Sequence, residues 1–290
     1  MLKLTLYMLI VLISSCAGND SNLEGQISKS DIASDNIKLN RDREQPEKVT
    51  ISDKQGLRQV SVERNSYKLI DSIPHDPGFY TQGLSYINDT LFESTGIMGR
   101  SKLISMNPKS GKIYKTSDLP PYVFGEGNAL VNDKMYLLSY KNSTAYVYGR
   151  GSFKVIEKFS YYGEGWGLTN TGDTLIMSNG TSTLTFRDSK DFSEIKDVQV
   201  WFNNQPLPML NELEYVDGFV YANIYGEDVI VKIDPISGSV VRAFDFSPLR
   251  NGQAGNSYAE VLNGIAYNPK DSLYYIAGKF WNQIYIVKID

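Results

Sequence analysis

The sequence predicts an all-β chain, a five-bladed β-propeller whose last blade is closed by an N-terminal strand. One short motif recurs five times between Gln82 and Tyr267. The last recurrence is followed by one strand fewer than the others, and an unclaimed strand precedes the first. Short strands joined by Asn-, Asp- or Gly-rich turns, in a period of about 40–50 residues, are the pattern of propeller blades. A single β-sandwich would leave the repetition unexplained.

In chain order, Lys3 precedes the apolar run Leu4–Ile13, and Ser14-Ser15-Cys16 follows it. A short positive segment, an apolar stretch of about ten residues and a small-residue end read as an export signal. Cys16 is the single cysteine of the chain. Its place beside the small pair resembles a bacterial lipoprotein signal, in which that cysteine is lipidated and becomes the first residue. An ordinary signal peptide with a stray cysteine is the alternative. Residues 1–16 are therefore expected to be removed or anchored, and the protein to sit in the bacterial cell envelope, periplasmic or on the outer membrane. No run of about 20 apolar residues exists, so only the lipid is expected to touch the membrane. Residues 17–65 are rich in Ser, Asp, Asn, Lys and Glu without an apolar period, which predicts a disordered tether. The propeller is expected over 66–290.

The strand Tyr67–Ile73 alternates and has no blade of its own. The five motifs then open on Gln82-Gly83-Leu84, Glu126-Gly127-Asn128, Glu164-Gly165-Trp166, Asn211-Glu212-Leu213 and Asn263-Gly264-Ile265. Each leads into a turn and further strands, as in Thr90–Ser94 and Lys102–Met106 of the first repeat. Gln283–Ile289 is a third strand with no fourth behind it, so Tyr67–Ile73 is predicted to supply the outer strand of the last blade.

Several chemistries are excluded by composition. A net charge of −4 argues against nucleic acid, which would need a basic face. His75 is the only histidine, so a multi-histidine zinc site cannot form and a Ser-His-Asp or Cys-His apparatus is disfavoured. The glycines make no phosphate-binding loop. Carboxylate, lysine and amide chemistry remains.

The innermost strand of each blade lines the central channel. The five leading residues, Gln82, Glu126, Glu164, Asn211 and Asn263, are all amides or carboxylates. Taken singly, each is best explained as a hydrogen-bonding tie between blades. Taken as a ring, with Tyr80, Phe124, Trp166 and Tyr225 beside them, they also describe a polar floor under an aromatic wall, which suits a small polar ligand.

The stretches Pro74-His75-Asp76-Pro77, Thr81-Gln82-Gly83-Leu84, Phe92-Glu93-Ser94-Thr95-Gly96, Phe124-Gly125-Glu126-Gly127, Glu164-Gly165-Trp166-Gly167-Leu168-Thr169, Leu210-Asn211-Glu212-Leu213-Glu214-Tyr215, Val261-Leu262-Asn263-Gly264-Ile265-Ala266-Tyr267 and Gly278-Lys279 resemble, in order and through all five blades, the plant-type glutaminyl cyclases also found in bacteria. The resemblance implies conversion of the N-terminal glutamine of peptides or proteins to pyroglutamate with release of ammonia, and no metal or other cofactor. It places the family's site residues on Gln82, Phe124, Glu126, Trp166, Asn211 and Lys279; the chemistry of ring closure then makes Glu126 the candidate proton shuttle and Lys279 the candidate cation for the oxyanion. Tyr80 stands where a Phe is usual, Tyr140 and Tyr225 where Trp is usual, and Asn179 where Asp is usual. Glu164 and Asn263 receive no role in the reaction, and His75 is expected to shape the loop into the first blade. Two rivals stand beside this reading: a non-catalytic propeller that binds peptides or proteins in the envelope, and a propeller lyase or lactonase with a channel metal. A monomer is expected.

Overall fold

A computed structural model describes residues 67–253 and 255–289, together with the backbone of two short strands, Lys48–Val49 and Val62–Glu63. The export signal, Cys16 and the rest of the expected tether lie outside the described residues. Val62 and Glu63 pair in parallel with Ala243 and Phe244, and Lys48–Val49 pairs with Val62–Glu63.

Five antiparallel four-stranded units follow one another in sequence. Blade 1 comprises Thr81–Ile87, Thr90–Thr95, Lys102–Met106 and Ile113–Asp118; blade 2, Gly125–Val131, Lys134–Ser139, Thr144–Gly149 and Val155–Ser160. Blade 3 comprises Leu168–Thr171, Thr174–Met177, Thr183–Asp188 and Glu194–Gln199; blade 4, Leu210–Val216, Phe219–Ile224, Val229–Ile233 and Val240–Asp245. Blade 5 takes Leu262–Asn268, Leu273–Gly278 and Gln283–Ile289 from the end of the chain and its outer strand, Tyr67–Pro74, from the beginning. That strand runs antiparallel to the last one, from Tyr67↔Ile289 to Pro74↔Gln283. The predicted closure is present.

The first two strands of a blade are joined by the tight turns the sequence advertises. Asn88-Asp89 and Asn132-Asp133 adopt positive φ at both residues, as a twist-matched hairpin turn demands. The cores lie between blades. Leu84, Leu91 and Ile104 of blade 1 meet Ala266, Tyr275 and Ile286 of blade 5, while Leu168, Leu175 and Met177 of blade 3 meet Tyr136 and Val147 of blade 2. Blade-to-blade burial of this kind makes closure cooperative, since removing one strand exposes apolar surface on two blades.

The recurring motif is a β-bulge. Register slips by one residue between Thr81 and Gly83, Gly125 and Asn128, Leu210 and Leu213, and Leu262 and Ile265. A bulge adds one unpaired residue and re-aims its side chain. The extra residues are Gln82, Glu126, Asn211 and Asn263, which explains why these positions are polar and why they open each inner strand. The residue after each of them comes against the next blade. A side chain at Gly127 would place its Cβ 2.4 Å from the Leu168 nitrogen of blade 3. Blade 4 carries Glu212 at this place, fully buried, and its carboxylate accepts the Leu84 N–H of blade 1 at 3.0 Å and the Ile265 N–H of blade 5 at 2.7 Å.

Candidate active site

The bulged residues form a buried floor in the channel. Gln82, Glu126, Asn211 and Asn263 are each at most 4% exposed. Hydrogen bonds at this level tie every blade to the next. Ser94 Oγ donates to the Glu126 carbonyl, Gly127 N to the Trp166 carbonyl at 2.7 Å, and Ser178 Oγ to the Asn211 carbonyl at 2.6 Å. Gly264 N donates to Asn223 Oδ1 at 3.1 Å, and Asn263 Nδ2 to Gln82 Oε1 and the Thr81 carbonyl, both at 3.0 Å. Most of these ties use backbone or serine atoms. The floor side chains are therefore spared for other work. Asn211 Oδ1 has no partner and is an acceptor offered to a ligand.

Glu164 does not belong to this ring. In blade 3 both the Trp166 N–H and the Gly167 carbonyl bond to the backbone of Ser178, at 3.0 Å each, so the residue matching the other bulges is Trp166. The shared Glu-Gly spelling of Glu126-Gly127 and Glu164-Gly165 places the motif two residues early. Glu164 sits half-buried at the rim instead, where it accepts from Trp166 Nε1 at 3.0 Å and faces Lys141 Nζ at 3.6 Å.

Above the floor, the aromatic residues named from the sequence form a continuous half-buried collar. Tyr80 meets Phe124 at 6.0 Å between centroids, Phe124 meets Tyr140 at 5.8 Å, Tyr140 meets Trp166 at 6.4 Å, and Trp166 meets Tyr225 at 5.5 Å. Lys279 closes the circle, with Nζ 4.6 Å from the Tyr80 centroid and 4.9 Å from that of Tyr225. Trp166 is held by the backbone of Gly180 (φ +79°), where a Cβ would lie 2.6 Å from the indole. Asn179, beside it, accepts from Thr181 N–H at 3.1 Å and Thr181 Oγ1 at 2.6 Å. An Asp could accept both bonds equally well, so the exchange at Asn179 leaves this turn unchanged.

The electrostatics of the two buried ionisable groups oppose one another. Burial pushes the Glu126 carboxyl well above the ordinary carboxylate range; Lys279 pulls it back, Glu164 adds to the rise, and a hydrogen bond from Gln82 opposes it. Burial lowers the Lys279 ammonium to about 8, with Glu126 and Glu260 acting against that fall. Glu260 was not legible as a site residue. It lies on the long connection into blade 5, where its backbone N–H bonds the Lys279 carbonyl at 2.8 Å, and its carboxylate lies by the Tyr80 hydroxyl and helps to raise it. The hydroxyl that distinguishes Tyr80 from Phe thus has its partner. Phe280, also unforeseen, packs edge-on against Tyr80 at 5.1 Å.

His75 belongs to the scaffold. It is buried, with Nδ1 2.7 Å from the Trp281 carbonyl and Nε2 3.0 Å from Glu93 Oε2. Thr81 Oγ1 donates to the same carboxylate at 2.8 Å. The contact joins the closing strand to blade 1 directly behind Gln82.

A buried acid and a buried lysine, with amides between them and an aromatic collar above, define a propeller built to bind a small polar group and move protons on it. Residues 46–289 match the family model described as glutamine cyclotransferase, and the chain belongs to that family. It is 33% identical over 229 residues to a glutaminyl-peptide cyclotransferase of Arabidopsis thaliana, covering 78% of this chain and 72% of that protein. The crystal structure of Myxococcus xanthus glutaminyl cyclase superposes with a TM-score of 0.72 at 32% identity, covering 78% of this chain and 97% of that one.

Proposed function

We propose that this protein is a glutaminyl-peptide cyclotransferase in which Glu126 shuttles the proton and Lys279 stabilises the oxyanion. The substrate is a peptide or protein with N-terminal glutamine. Its α-amine nitrogen attacks the side-chain amide carbon, a C–N bond closes the five-membered ring, and the amide nitrogen departs as ammonia. The attack is intramolecular, so it needs chiefly the right rotamer and an uncharged amine. An α-amine ordinarily titrates near 7.7–8.0. Burial lifts Glu126 above the ordinary carboxylate range, so once the amine is uncharged its carboxylate can take the proton that the attacking nitrogen sheds as the C–N bond forms. The carboxyl so protonated then gives the proton to the leaving nitrogen, which cannot depart as amide ion.

Negative charge gathers on the carbonyl oxygen in the tetrahedral intermediate, and Lys279 is the cation placed to meet it. Gln82 and Asn211 bind the polar ends of the substrate's glutamine by amide pairing. Trp166 and Phe124, with Tyr80, Tyr140 and Tyr225, cover its aliphatic part and exclude water. The observation that carries this reading is the opposed pair Glu126 and Lys279, both buried, with Lys279 closing the aromatic collar between Tyr80 and Tyr225. A non-catalytic peptide binder would need the collar but not a buried acid and lysine. Mixing the purified protein with a Gln-led dipeptide and following ammonia release tests it. Stoichiometric ammonia and a cyclised product are expected; binding without release would overturn it.

The same proposal places the enzyme outside the cytoplasm as a monomer carried by a lipid on Cys16. The support is the Lys3, Leu4–Ile13, Ser14-Ser15-Cys16 pattern. Two or three acyl chains on one residue would hold it firmly, at about 0.8 kcal/mol per buried methylene. Palmitate labelling that survives in a Cys16→Ser variant would contradict the anchor.

A further inference from the structure

The orientation of the Gln82 amide depends on Asn263, a residue to which neither the motif nor the family resemblance gives a part in the reaction. Asn263 is the bulged residue of blade 5 and is fully buried. Its Nδ2 donates both to the Thr81 carbonyl and to Gln82 Oε1, at 3.0 Å each. The carbonyl fixes the amide's direction. Turned by half a rotation, Asn263 would set its own oxygen against the Thr81 oxygen, two acceptors with no proton between them. Asn263 must therefore donate, Gln82 must accept with its oxygen, and the Gln82 N–H2 is left on the side of Glu126, whose charged form it favours. Asn263 Oδ1 remains without a partner. The residue is not there to satisfy itself.

We propose that Asn263 is a positioning residue for cyclisation: by donating to Gln82 Oε1 it turns the Gln82 amide so that an N–H, and not the carbonyl, faces the Glu126 carboxylate. The inference rests on the reading of Glu126 as proton shuttle. A donor stabilises the carboxylate that must accept the amine's proton, whereas a carbonyl oxygen in its place would repel it. The other charged or titratable groups that face Glu126 are Lys279 of blade 5, Glu164 at the rim, Tyr80 on the approach to blade 1, and Tyr161 on the connection between blades 2 and 3. Of these only Lys279 also favours the charged carboxyl. Gln82 is thus the one neutral group that joins Lys279 in favouring the carboxylate.

The test is a double-mutant cycle read on the titration of Glu126 by carboxyl 13C NMR, which needs no turnover, together with kcat and KM for a Gln-led dipeptide. Asn263→Asp keeps the shape and offers acceptors only, so Gln82 should reverse and present its oxygen to Glu126. The cycle compares Asn263→Asp alone, Gln82→Leu alone and both together, so that the added charge of the aspartate is measured where no amide can turn. Glu126 should titrate higher by about one unit or more in Asn263→Asp, and by less than half of that shift in the Gln82→Leu background. Asn263→Ala should lower kcat about tenfold or more with KM within about threefold. Equal shifts in the two backgrounds, or an unchanged kcat in Asn263→Ala, would overturn the positioning role. If Asn263→Ala fails to fold, the cycle on the isosteric Asn263→Asp decides alone. Failure of the wild-type protein to release ammonia would instead overturn the shuttle reading itself.

Discussion

Glu126 and Lys279 reach the channel from the second and fifth blades, with the first blade between them in the ring, and burial drives the two in opposite directions, the carboxyl up and the ammonium down. Each favours the other's charged form and so works against the effect of the other's burial. A carboxyl raised above its ordinary range is better matched to proton transfer at neutral pH than a free one.

The first consequence concerns Glu126. Glu126→Gln keeps the shape of the floor and the chance to bond Gln82, but has no proton to exchange. Turnover of a Gln-led dipeptide should fall by about 10²–10⁴ while the thermal midpoint stays close to that of the wild type. Steady-state kinetics beside a thermal melt read both. Unchanged turnover would remove Glu126 from the mechanism.

Lys279 makes a prediction with a sign in pH. Only its charged form can meet an oxyanion, and it titrates at about 8. The value of kcat should therefore fall as pH rises through about 8. Lys279→Arg, whose guanidinium stays charged, should lose that alkaline fall even where its maximal rate is reduced. Lys279→Ala should lower kcat by about 10²–10³ and change KM far less. A Lys279→Ala variant defective only in KM would make the lysine a binding group.

How much of this was legible in the sequence follows from which interactions are local. The ring count, the blade order and the closing strand could be read because each bulge repeats within its own strand and the unpaired ends are visible in the chain. Tyr80, Phe124, Trp166 and Tyr225 were legible as aromatics near the repeated motif, whereas Tyr140 came only through the family resemblance. What escaped depends on contacts between distant segments. Glu260 lies on an irregular connection before the last blade, and nothing near it in sequence shows that its carboxylate meets Tyr80. The displacement of Glu164 from the ring escaped for a different reason: Glu-Gly occurs two residues before the bulge of blade 3, and only backbone pairing distinguishes the two registers. Asn263 looked like scaffold because its partner Gln82 begins the repeat that Asn263 ends, at the seam where the ring closes.

Trp166 tests the collar. It contacts Tyr140 and Tyr225 and has no proton to give to the reaction. Trp166→Ala should weaken binding of substrate and transition state alike, raising KM by roughly tenfold or more with kcat within a fewfold. A fall confined to kcat would show that the indole positions the reacting groups and does more than cover them.

The last prediction concerns the seam itself. His75 and Glu93 are buried together, and through them the closing strand is bound to blade 1 behind Gln82. Burial alone would lower the imidazole's affinity for a proton, but Glu93, with the Trp281 carbonyl and Asp76, outweighs this and holds it above 6.5. A raised folded-state value means that the contribution of the pair is fully present below pH 6.5 and is lost as pH rises through the folded value. Other buried carboxyls share that direction of pH dependence, so the readout is a difference between proteins. Calorimetric midpoints of the wild type and His75→Gln, measured from pH 5.5 to 9, should lie furthest apart at the acid end and converge as pH rises. His75→Ala, which leaves Glu93 buried without its cation, should cost about 3–5 kcal/mol at pH 6. A gap between wild type and His75→Gln that stays constant across the range would mean that the imidazole is neutral in the folded protein, and that the seam is held by hydrogen bonds without an ion pair.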